Sequence, residues 1–264
     1  NAITLKPDYA EAYYNLGITL HELGKLEEAE ANYRRTIALK SEYPEAHYNL
    51  GVILKQLGKL NEAESSYREA TILKPDYAEA HNNLGIILQE LTRFDYAASI
   101  HRNAITLKPD YAEAHYNLGI TLHELGELDE VEANYKQAIA LKPDYAEAYS
   151  NLGNILQELG RYHEAESRYR EAIALKPNHA GAHNNLGEAL NELGKLDEAE
   201  ASYRDAIALK PDFTAAHFNL AITLKEQSRF NEAETSLRQA LVLKPNYTEA
   251  HNQLLDCLFL QDKK

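Results

Sequence analysis

Residues 2–24 read AITLKPDYAEAYYNLGITLHELG, and residues 104–126 repeat this stretch with a single change, Tyr13 to His115. The two copies begin 102 residues apart, at Ala2 and Ala104. Prolines mark a shorter period of 34 residues within that distance, at Pro75, Pro109, Pro143, Pro177, Pro211 and Pro245. Counting back by the same step reaches Ser41 and then Pro7. The chain is therefore built from a 34-residue unit, and the long copy spans three units.

Within each period the apolar residues follow the spacing of two amphipathic helices. The first is predicted near residues 9–23, and Gly24 follows it as a helix stop. Its apolar face carries Tyr13, Leu16, Gly17 and Leu20. The second is predicted near residues 27–39, with Ala29, Tyr33, Ile37 and Leu39 on its apolar face. Each helix is short and buries its apolar stripe only against neighbours, as in a solenoid.

The run Tyr13-x-x-Leu16-Gly17-x-x-Leu20, then Ala29-x-x-x-Tyr33, then a proline in most copies, resembles the tetratricopeptide repeat. The resemblance implies an all-α fold, a right-handed α-solenoid or superhelix of antiparallel helix–turn–helix repeats. We predict one array over residues 1–264, with partial repeats at 1–9 and 248–264. The complete repeats are 10–43, 44–77, 78–111, 112–145, 146–179, 180–213 and 214–247. Because both ends cut through repeats, we expect a fragment of a longer protein.

Small residues recur where the two helices of a repeat are expected to approach closely. One column of glycines consists of Gly17, Gly51, Gly85, Gly119, Gly153 and Gly187. Ala221 and Leu255 replace the glycine in the last two copies. Thr92 and Ser228 replace the glycine that stops the first helix. These departures affect local packing and not the predicted fold.

Composition excludes several classes of function. A formal net charge of −14 argues against binding nucleic acid or anionic membranes. No apolar run approaches the ~20 residues that span a bilayer. The single cysteine, Cys257, fits a reducing compartment, and we predict a cytoplasmic location.

No catalytic constellation or glycine-rich phosphate loop is visible, so no enzyme activity and no cofactor are predicted. Six histidines, His47, His81, His115, His183, His217 and His251, recur at a packing position of the first helix and are interpreted as core residues. His179 and His183 have a spacing that can share a metal, but no further ligand completes the set, so no metal site is predicted.

The opposite face of the first helix, with Glu11, Asn15, Ile18 and Glu22, is the candidate binding face. In tetratricopeptide superhelices the first helices line the concave surface, so the resemblance implies that this stripe faces a groove. Its most regular column is asparagine: Asn15, Asn49, Asn83, Asn117, Asn151, Asn185 and Asn219.

An asparagine carboxamide both donates and accepts, so it can pair with the N–H and the C=O of a peptide backbone. With neighbouring helices about 8–10 Å apart and an extended peptide rising about 3.3 Å per residue, one asparagine would meet about every third ligand residue. This is similar to the asparagine ladder of the O-GlcNAc transferase superhelix. The alternative is that each asparagine bonds to the helix of the neighbouring repeat.

Two further columns flank the asparagines. Ile18, Ile86 and Ile120 are predicted either to form the apolar floor of a groove or to be partly buried by curvature. Tyr14, Tyr48 and Tyr116 are predicted side-chain pockets, with packing on the next repeat as the alternative. Two columns of glutamate, beginning at Glu11 and Glu22, predict an acidic groove that prefers neutral or basic segments. The family's carboxylate clamp for acidic chaperone tails is not expected, because Glu11 and Tyr14 stand where the clamp lysines would be.

The sequence therefore predicts a protein–protein interaction scaffold that binds a peptide segment of a partner along this groove. Two alternatives stay open. The array is a substrate-recruiting arm of a larger enzyme of the glycosyltransferase or hydroxylase type, or it self-assembles head to tail through its cut repeats.

Overall fold

The structure is a computed structural model that describes residues 8–261. Over this range the chain forms fifteen α-helices and no strand. The first eight are α1 (Ala10–Glu22), α2 (Leu26–Leu39), α3 (Pro44–Gln56), α4 (Leu60–Leu73), α5 (Ala78–Glu90), α6 (Phe94–Leu107), α7 (Ala112–Glu124) and α8 (Leu128–Leu141). The others are α9 (Ala146–Glu158), α10 (Tyr162–Leu175), α11 (Ala180–Glu192), α12 (Leu196–Leu209), α13 (Thr214–Glu226), α14 (Phe230–Leu243) and α15 (Thr248–Gln261).

The helices fall into two compact units, Asn1–Leu141 with α1–α8 and Lys142–Lys264 with α9–α15. Within each unit consecutive helices pack against one another, and first helices of successive repeats also touch, as α5 and α7 do. The all-α helical repeat that the 34-residue period predicts is confirmed, and the predicted helices agree with α1 and α2 to within one residue at each end. None of the described helices is long and apolar enough to cross a membrane.

Seven first helices, from α1 to α13, end in the same left-handed turn. Gly24 has φ +71°, its N–H donates to the carbonyl of His21, and the N–H of Lys25 donates to the carbonyl of Leu20. This pair of bonds is a Schellman motif, which satisfies carbonyls that the helix end leaves open. Thr92 and Ser228 adopt the same conformation, with φ 57° and 60°, although they are not glycines. The predicted stop is therefore confirmed at Gly24 and is kept under strain at the two substitutions.

The glycine column lets the two helices of a repeat approach closely. A Cβ atom at Gly17 would lie 2.7 Å from Cε1 of Tyr33, and one at Gly119 would lie 2.6 Å from Cε1 of Tyr135. The ring of the second helix therefore rests on the backbone of the first, as predicted. Leu16, predicted to pack, is instead 36% exposed, because no described repeat precedes α1.

The junction between repeats is held by the recurring histidines. The imidazole Nε2 atoms of His81 and His217 lie 3.0 and 2.9 Å from the carbonyl oxygens of Pro75 and Pro211, six residues earlier. His47 makes the same contact, 3.0 Å to the carbonyl of Ser41, because the bond needs only a backbone oxygen. The interpretation of these residues as core is wrong: five are half-buried and His251 is exposed, since each ring lies along the loop that it holds.

Candidate peptide-binding surface

Each first helix of the first unit carries one residue of the asparagine column, and two of these residues bond directly to a tyrosine of the preceding repeat. Asn49 Nδ2 donates to the Tyr14 hydroxyl at 3.1 Å, and Asn83 Nδ2 donates to the Tyr48 hydroxyl at 3.1 Å. In each case the accepting tyrosine belongs to the preceding repeat, where it stands immediately before that repeat's own column asparagine, as Tyr14 stands before Asn15. Stacking of repeats therefore brings the two columns within hydrogen-bonding distance.

Other asparagines make equivalent bonds with a different acceptor. In the first unit Asn117 Nδ2 donates to Asn82 Oδ1 at 3.0 Å. In the second unit Asn185 Nδ2 donates to Asn154 Oδ1 at 2.9 Å. There Asn219 Nδ2 donates to Asn184 Oδ1 and Glu188 Oε1 at 3.2 and 2.8 Å. Asn15 is exposed, and Asn151 is half-buried.

These bonds use the N–H groups of the carboxamides, through their Nδ2 atoms. Within residues 8–261 the Oδ1 atoms of Asn49, Asn83 and Asn117 accept no hydrogen bond. The two-way pairing with a peptide backbone expected from the sequence would require breaking a bond between repeats. What the column offers without that cost is a series of acceptors for N–H groups.

The tyrosine column lies between the asparagines and the core. The Tyr14 ring packs at 5.9 Å from Tyr33 and 4.8 Å from Tyr43, measured between ring centroids. Tyr48 repeats this arrangement with its own neighbours, and the Tyr116 ring lies 5.9 Å from Tyr135. Burial raises the pKa of Tyr48. The predicted pocket residues are thus half-buried rings packed within the array.

The isoleucine column is partly buried. Ile18, Ile86 and Ile120 are each half-buried, and Ile18 packs against the core of the first unit with Val52, its equivalent in the next repeat. Of the two readings of this column, partial burial describes the position of its side chains. The column stays apolar in the first unit and becomes polar in the second, at Asn154 and Glu188.

The glutamate column that begins at Glu11 contributes less negative charge than the sequence indicates, because lysines neutralise it in part. Its members pair with the lysine that follows the second helix of the same repeat. The Lys-to-Glu distances are 3.7 Å for Lys40–Glu11, 3.9 Å for Lys74–Glu45, 3.0 Å for Lys108–Glu79 and 2.9 Å for Lys176–Glu147. The hydrogen bond from Lys176 lowers the pKa of Glu147. Sequence spacing missed these partners because each lies 29 residues from its glutamate.

The second glutamate column remains exposed. Its members are Glu22, Glu90, Glu124, Glu158, Glu192 and Glu226. Glu90 forms an ion pair with Lys55, 3.1 Å from Nζ to carboxylate oxygen. The acidity that the sequence predicts for this face is therefore carried mainly by this column.

A polar cleft of about 420 Å³ opens in the second unit where the isoleucine column is interrupted. It is lined by Asn154, Gln157, Glu158, Tyr162, Tyr169, Asn185, Glu188 and Glu192. The Tyr169 hydroxyl lies 2.9 Å from Asn154 Oδ1 and 3.1 Å from Gln157 Oε1, and donates to these acceptors. Burial, and then the charges of Glu188 and Glu158, raise the pKa of Tyr169. Sequence analysis missed this cleft, although the change to Asn154 and Glu188 signals it.

His179 and His183, the two histidines with a metal-binding spacing, bond to nearby backbone groups. His179 Nδ1 accepts the N–H of Ala182 at 3.0 Å, which caps α11, and His183 Nε2 lies 3.0 Å from the carbonyl of Pro177. The described part of the chain contains no group of three His, Cys, Asp or Glu side chains placed to hold a metal. The buried Cys257 thiol donates to the carbonyl of Phe230 at 3.0 Å.

These helix pairs define a helical-repeat protein, and sequence-family models identify the family. The model described as the C-terminal domain of cilia and flagella-associated protein 70 matches residues 41–256, most of the chain. Models described as TPR repeat and tetratricopeptide repeat match residues 19–58 and 1–31. The chain belongs to the tetratricopeptide repeat family. Proteins of this family generally mediate protein–protein interactions. No curated protein sequence matches the chain.

Solved structures share the fold. One chain of the Cut9–Hcn1 hetero-tetramer of the APC/C superimposes with a TM-score of 0.72 at 19% identity, over 97% of this chain and 51% of that one. PilF of Pseudomonas aeruginosa gives a TM-score of 0.70 at 20% identity, over 78% and 94% of the two chains. YrrB, described as a TPR protein with an unusual peptide-binding site, gives 0.61 at 20% identity, over 70% and 96%.

Proposed function

We propose that the chain is a protein-interaction scaffold whose first helices bind an extended peptide segment of a partner. The observation that carries this proposal is the row of carboxamide oxygens at Asn49, Asn83 and Asn117, which accept no hydrogen bond within residues 8–261. Their Nδ2 atoms are fixed by the neighbouring repeat, so each oxygen is held in one orientation. A fixed acceptor loses little entropy when it binds, which favours affinity.

The spacing of these acceptors suits a peptide backbone. Packed helices lie about 8–10 Å apart, and an extended chain rises about 3.3 Å per residue, so about every third N–H would meet an asparagine. The half-buried rings of Tyr14 and Tyr48 and the side chain of Ile18 supply apolar contact beside this row. YrrB, with its peptide-binding site, supports this use of the fold by analogy.

Charge favours neutral or basic ligands. The exposed glutamate column supports this preference along the first helices, and the cleft of the second unit adds the carboxylates of Glu158, Glu188 and Glu192. Two tyrosines, Tyr162 and Tyr169, line the same cleft. A lysine or arginine side chain entering it would meet both negative charge and aromatic faces.

The test separates ligand binding from support of the array. Peptides selected from a random library would be titrated against the native chain and against a variant with Asn49, Asn83 and Asn117 changed to Ala. The matched control carries Tyr14→Phe and Tyr48→Phe, which removes the two bonds that orient Asn49 and Asn83 but keeps every asparagine side chain. We expect the alanine variant to lose at least tenfold in affinity and the phenylalanine variant, whose acceptors are present but less well held, to lose much less.

Equal losses in the two variants, at matched helicity by circular dichroism, would show that the asparagines act only through the stacking of repeats. Unchanged binding in both would refute the proposed contact. A second comparison, Glu188→Gln with Glu192→Gln, is expected to weaken basic peptides more than neutral ones.

Self-association is a second candidate, because α15 exposes apolar side chains. Leu255 and Phe259 are 66% and 60% exposed on this helix. A heterologous contact through this face would build open assemblies whose size grows with concentration. Sedimentation at several concentrations tests this, with Leu255→Glu and Phe259→Glu as the control. A concentration-independent monomer would exclude it.

A further inference from the structure

Arginines on the second helices form a ladder that links one repeat to the next, here called the bridge ladder. In the first repeat Arg34 bonds to Glu30 on its own helix at 2.9 Å and to Glu62 on α4 at 2.5 Å. Arg170 and Arg204 in the second unit repeat this arrangement, bonding to Glu198 and Glu232 of the next second helix. Each bridge therefore uses one carboxylate on the arginine's own helix and one on the next second helix.

Helix α6 interrupts the bridge ladder. Tyr96 stands at the position of Glu62, so Arg68 lacks the carboxylate of the next repeat. Among residues 8–261, Arg68 bonds to Glu64 on its own helix alone, with Nε and a terminal nitrogen at 3.0 and 2.8 Å from one carboxylate oxygen. Arg93 also bonds to Glu64, at 3.0 and 2.9 Å.

The interruption leaves a local excess of positive charge. At α6 two guanidinium groups, Arg68 and Arg93, share the single carboxylate of Glu64. In the intact bridge before it, two cations share two carboxylates, because Arg34 and Lys59 both pair with Glu30 and Arg34 pairs with Glu62 as well. The site at α6 is thus one carboxylate short within a chain whose net charge is −14.

Around this interruption α6 carries apolar or aromatic residues where other second helices carry polar or charged ones. Tyr96 is 69% exposed, and Ile100, one turn further along α6, is half-buried. Ala98 replaces the glutamate found at Glu30 and Glu64. Tyrosine and arginine are both among the residue types most enriched where interfaces concentrate their binding energy.

We infer that the face formed by Arg68 on α4 and Tyr96 on α6 binds an acidic peptide segment of a partner protein. A carboxylate of that segment takes the place of the missing glutamate against Arg68, whose planar fork suits a carboxylate. An adjacent apolar side chain packs on the Tyr96 ring. Charge complementarity selects this ligand, because the excess positive charge lies in an otherwise acidic chain. This surface is on the second helices and is separate from the surface of the proposed function.

The experiment uses Tyr96→Glu, which completes the bridge ladder with the residue that the six other repeats carry there. A displayed library of random twelve-residue peptides is selected on the native chain, with counter-selection on Tyr96→Glu. We expect native-specific peptides that combine Asp or Glu with an apolar residue. Their affinity, followed by fluorescence anisotropy, should fall at least tenfold with Arg68→Gln and weaken as salt rises.

Two matched variants sharpen the result. Arg34→Gln removes an arginine from an intact bridge and should leave the affinity unchanged. Glu62→Tyr creates the same interruption one repeat earlier and should add a second, weaker site. Native-specific peptides without acidic residues, or no peptide that distinguishes the native chain from Tyr96→Glu, would overturn the inference. A native chain that dimerises where Tyr96→Glu does not would also overturn it, in favour of a second copy as the occupant.

Discussion

A Cβ atom placed on Gly153 would lie 2.6 Å from Cε1 of Tyr169, closer than two non-bonded carbon atoms approach in a folded protein. The repeat at 214–247 solves the same packing problem differently. It carries Ala221 and Leu237 at the two equivalent positions, and both are buried. Most repeats pair glycine with tyrosine at these positions, one pairs Gly85 with His101, and the repeat at 214–247 pairs alanine with leucine. The last pair shows how the methyl group of alanine is accommodated.

This relationship predicts a coupled pair of substitutions. Gly153→Ala alone should destabilise the chain by about 1–3 kcal/mol, because the added methyl overpacks against the tyrosine ring. Combined with Tyr169→Leu, the cost of the alanine should largely disappear. A double-mutant cycle by chemical denaturation measures the coupling. Additive effects of the two changes would contradict the packing explanation.

The imidazole of His101 predicts a pH dependence of stability. It is fully buried where five other repeats have tyrosine, and neither ring nitrogen has a hydrogen-bond partner among the described residues. Burial lowers the pKa of His101 to about 3. Below pH ~6.5 the unfolded chain therefore binds a proton that the folded chain excludes, and stability falls as the pH drops from that value towards 3.

Between pH 7 and pH 5 this residue should cost about 2 kcal/mol. His101→Tyr restores the residue of the other repeats and should remove that part of the slope, which thermal unfolding at the two pH values measures. His81→Gln, at a junction position, is the control and should leave most of the slope in place. An unchanged pH dependence in His101→Tyr would show that other groups cause it.

Two helix stops are predicted to carry strain. Thr92 and Ser228 have φ values of 57° and 60°, a region that glycine adopts freely and that a side chain disfavours. Thr92→Gly and Ser228→Gly should each stabilise the chain by about 0.5–1 kcal/mol. The reverse change at an equivalent stop, Gly160→Ala, should destabilise it by a similar amount. Melting temperatures compare the three, and a loss of stability in either glycine variant would refute the prediction.

Ion pairs link a glutamate on one second helix to the lysine that precedes the next second helix, and they predict that a missing pair can be restored by substitution. Lys59 bonds to Glu30 and Lys195 bonds to Glu166, each at 2.8 Å, but the equivalent residues at one junction are Ala98 and Glu127. Changing both, Ala98→Glu with Glu127→Lys, should restore the pair. We expect a favourable coupling of about 0.5 kcal/mol that shrinks in high salt, because the pair is partly exposed. Equal coupling at low and high salt would indicate packing and not charge.

Much of the fold could be predicted because its signals are local. The Tyr13–Leu20 spacing predicts α1, and Gly24 predicts its end. The paired losses at Ala221 and Leu237 are visible in the sequence, but only the distance from Gly153 to Tyr169 explains them. The prediction that His47 and its equivalents are core residues was wrong because helical spacing places them on the packing face. In the structure the His47 ring turns instead to the carbonyl of Ser41 at the junction between repeats.

The sequence predicted the candidate site as columns of equivalent residues. Which hydrogen bonds and ion pairs those residues form depends on how the helices of the array pack together. The peptide-binding role of the asparagines, tyrosines and isoleucines stays a prediction, as does the compartment. The sequence by itself determined the helices, their stops and which residues share a face, because helical periodicity and turn conformation act over a few residues. Only the tertiary structure decided that Asn49 donates to Tyr14, that Lys108 pairs with Glu79 and that Arg68 meets one carboxylate, that of Glu64, in the described part of the chain. The first two pairs lie 35 and 29 residues apart, a separation at which the stacking of repeats, and not local preference, sets the contact.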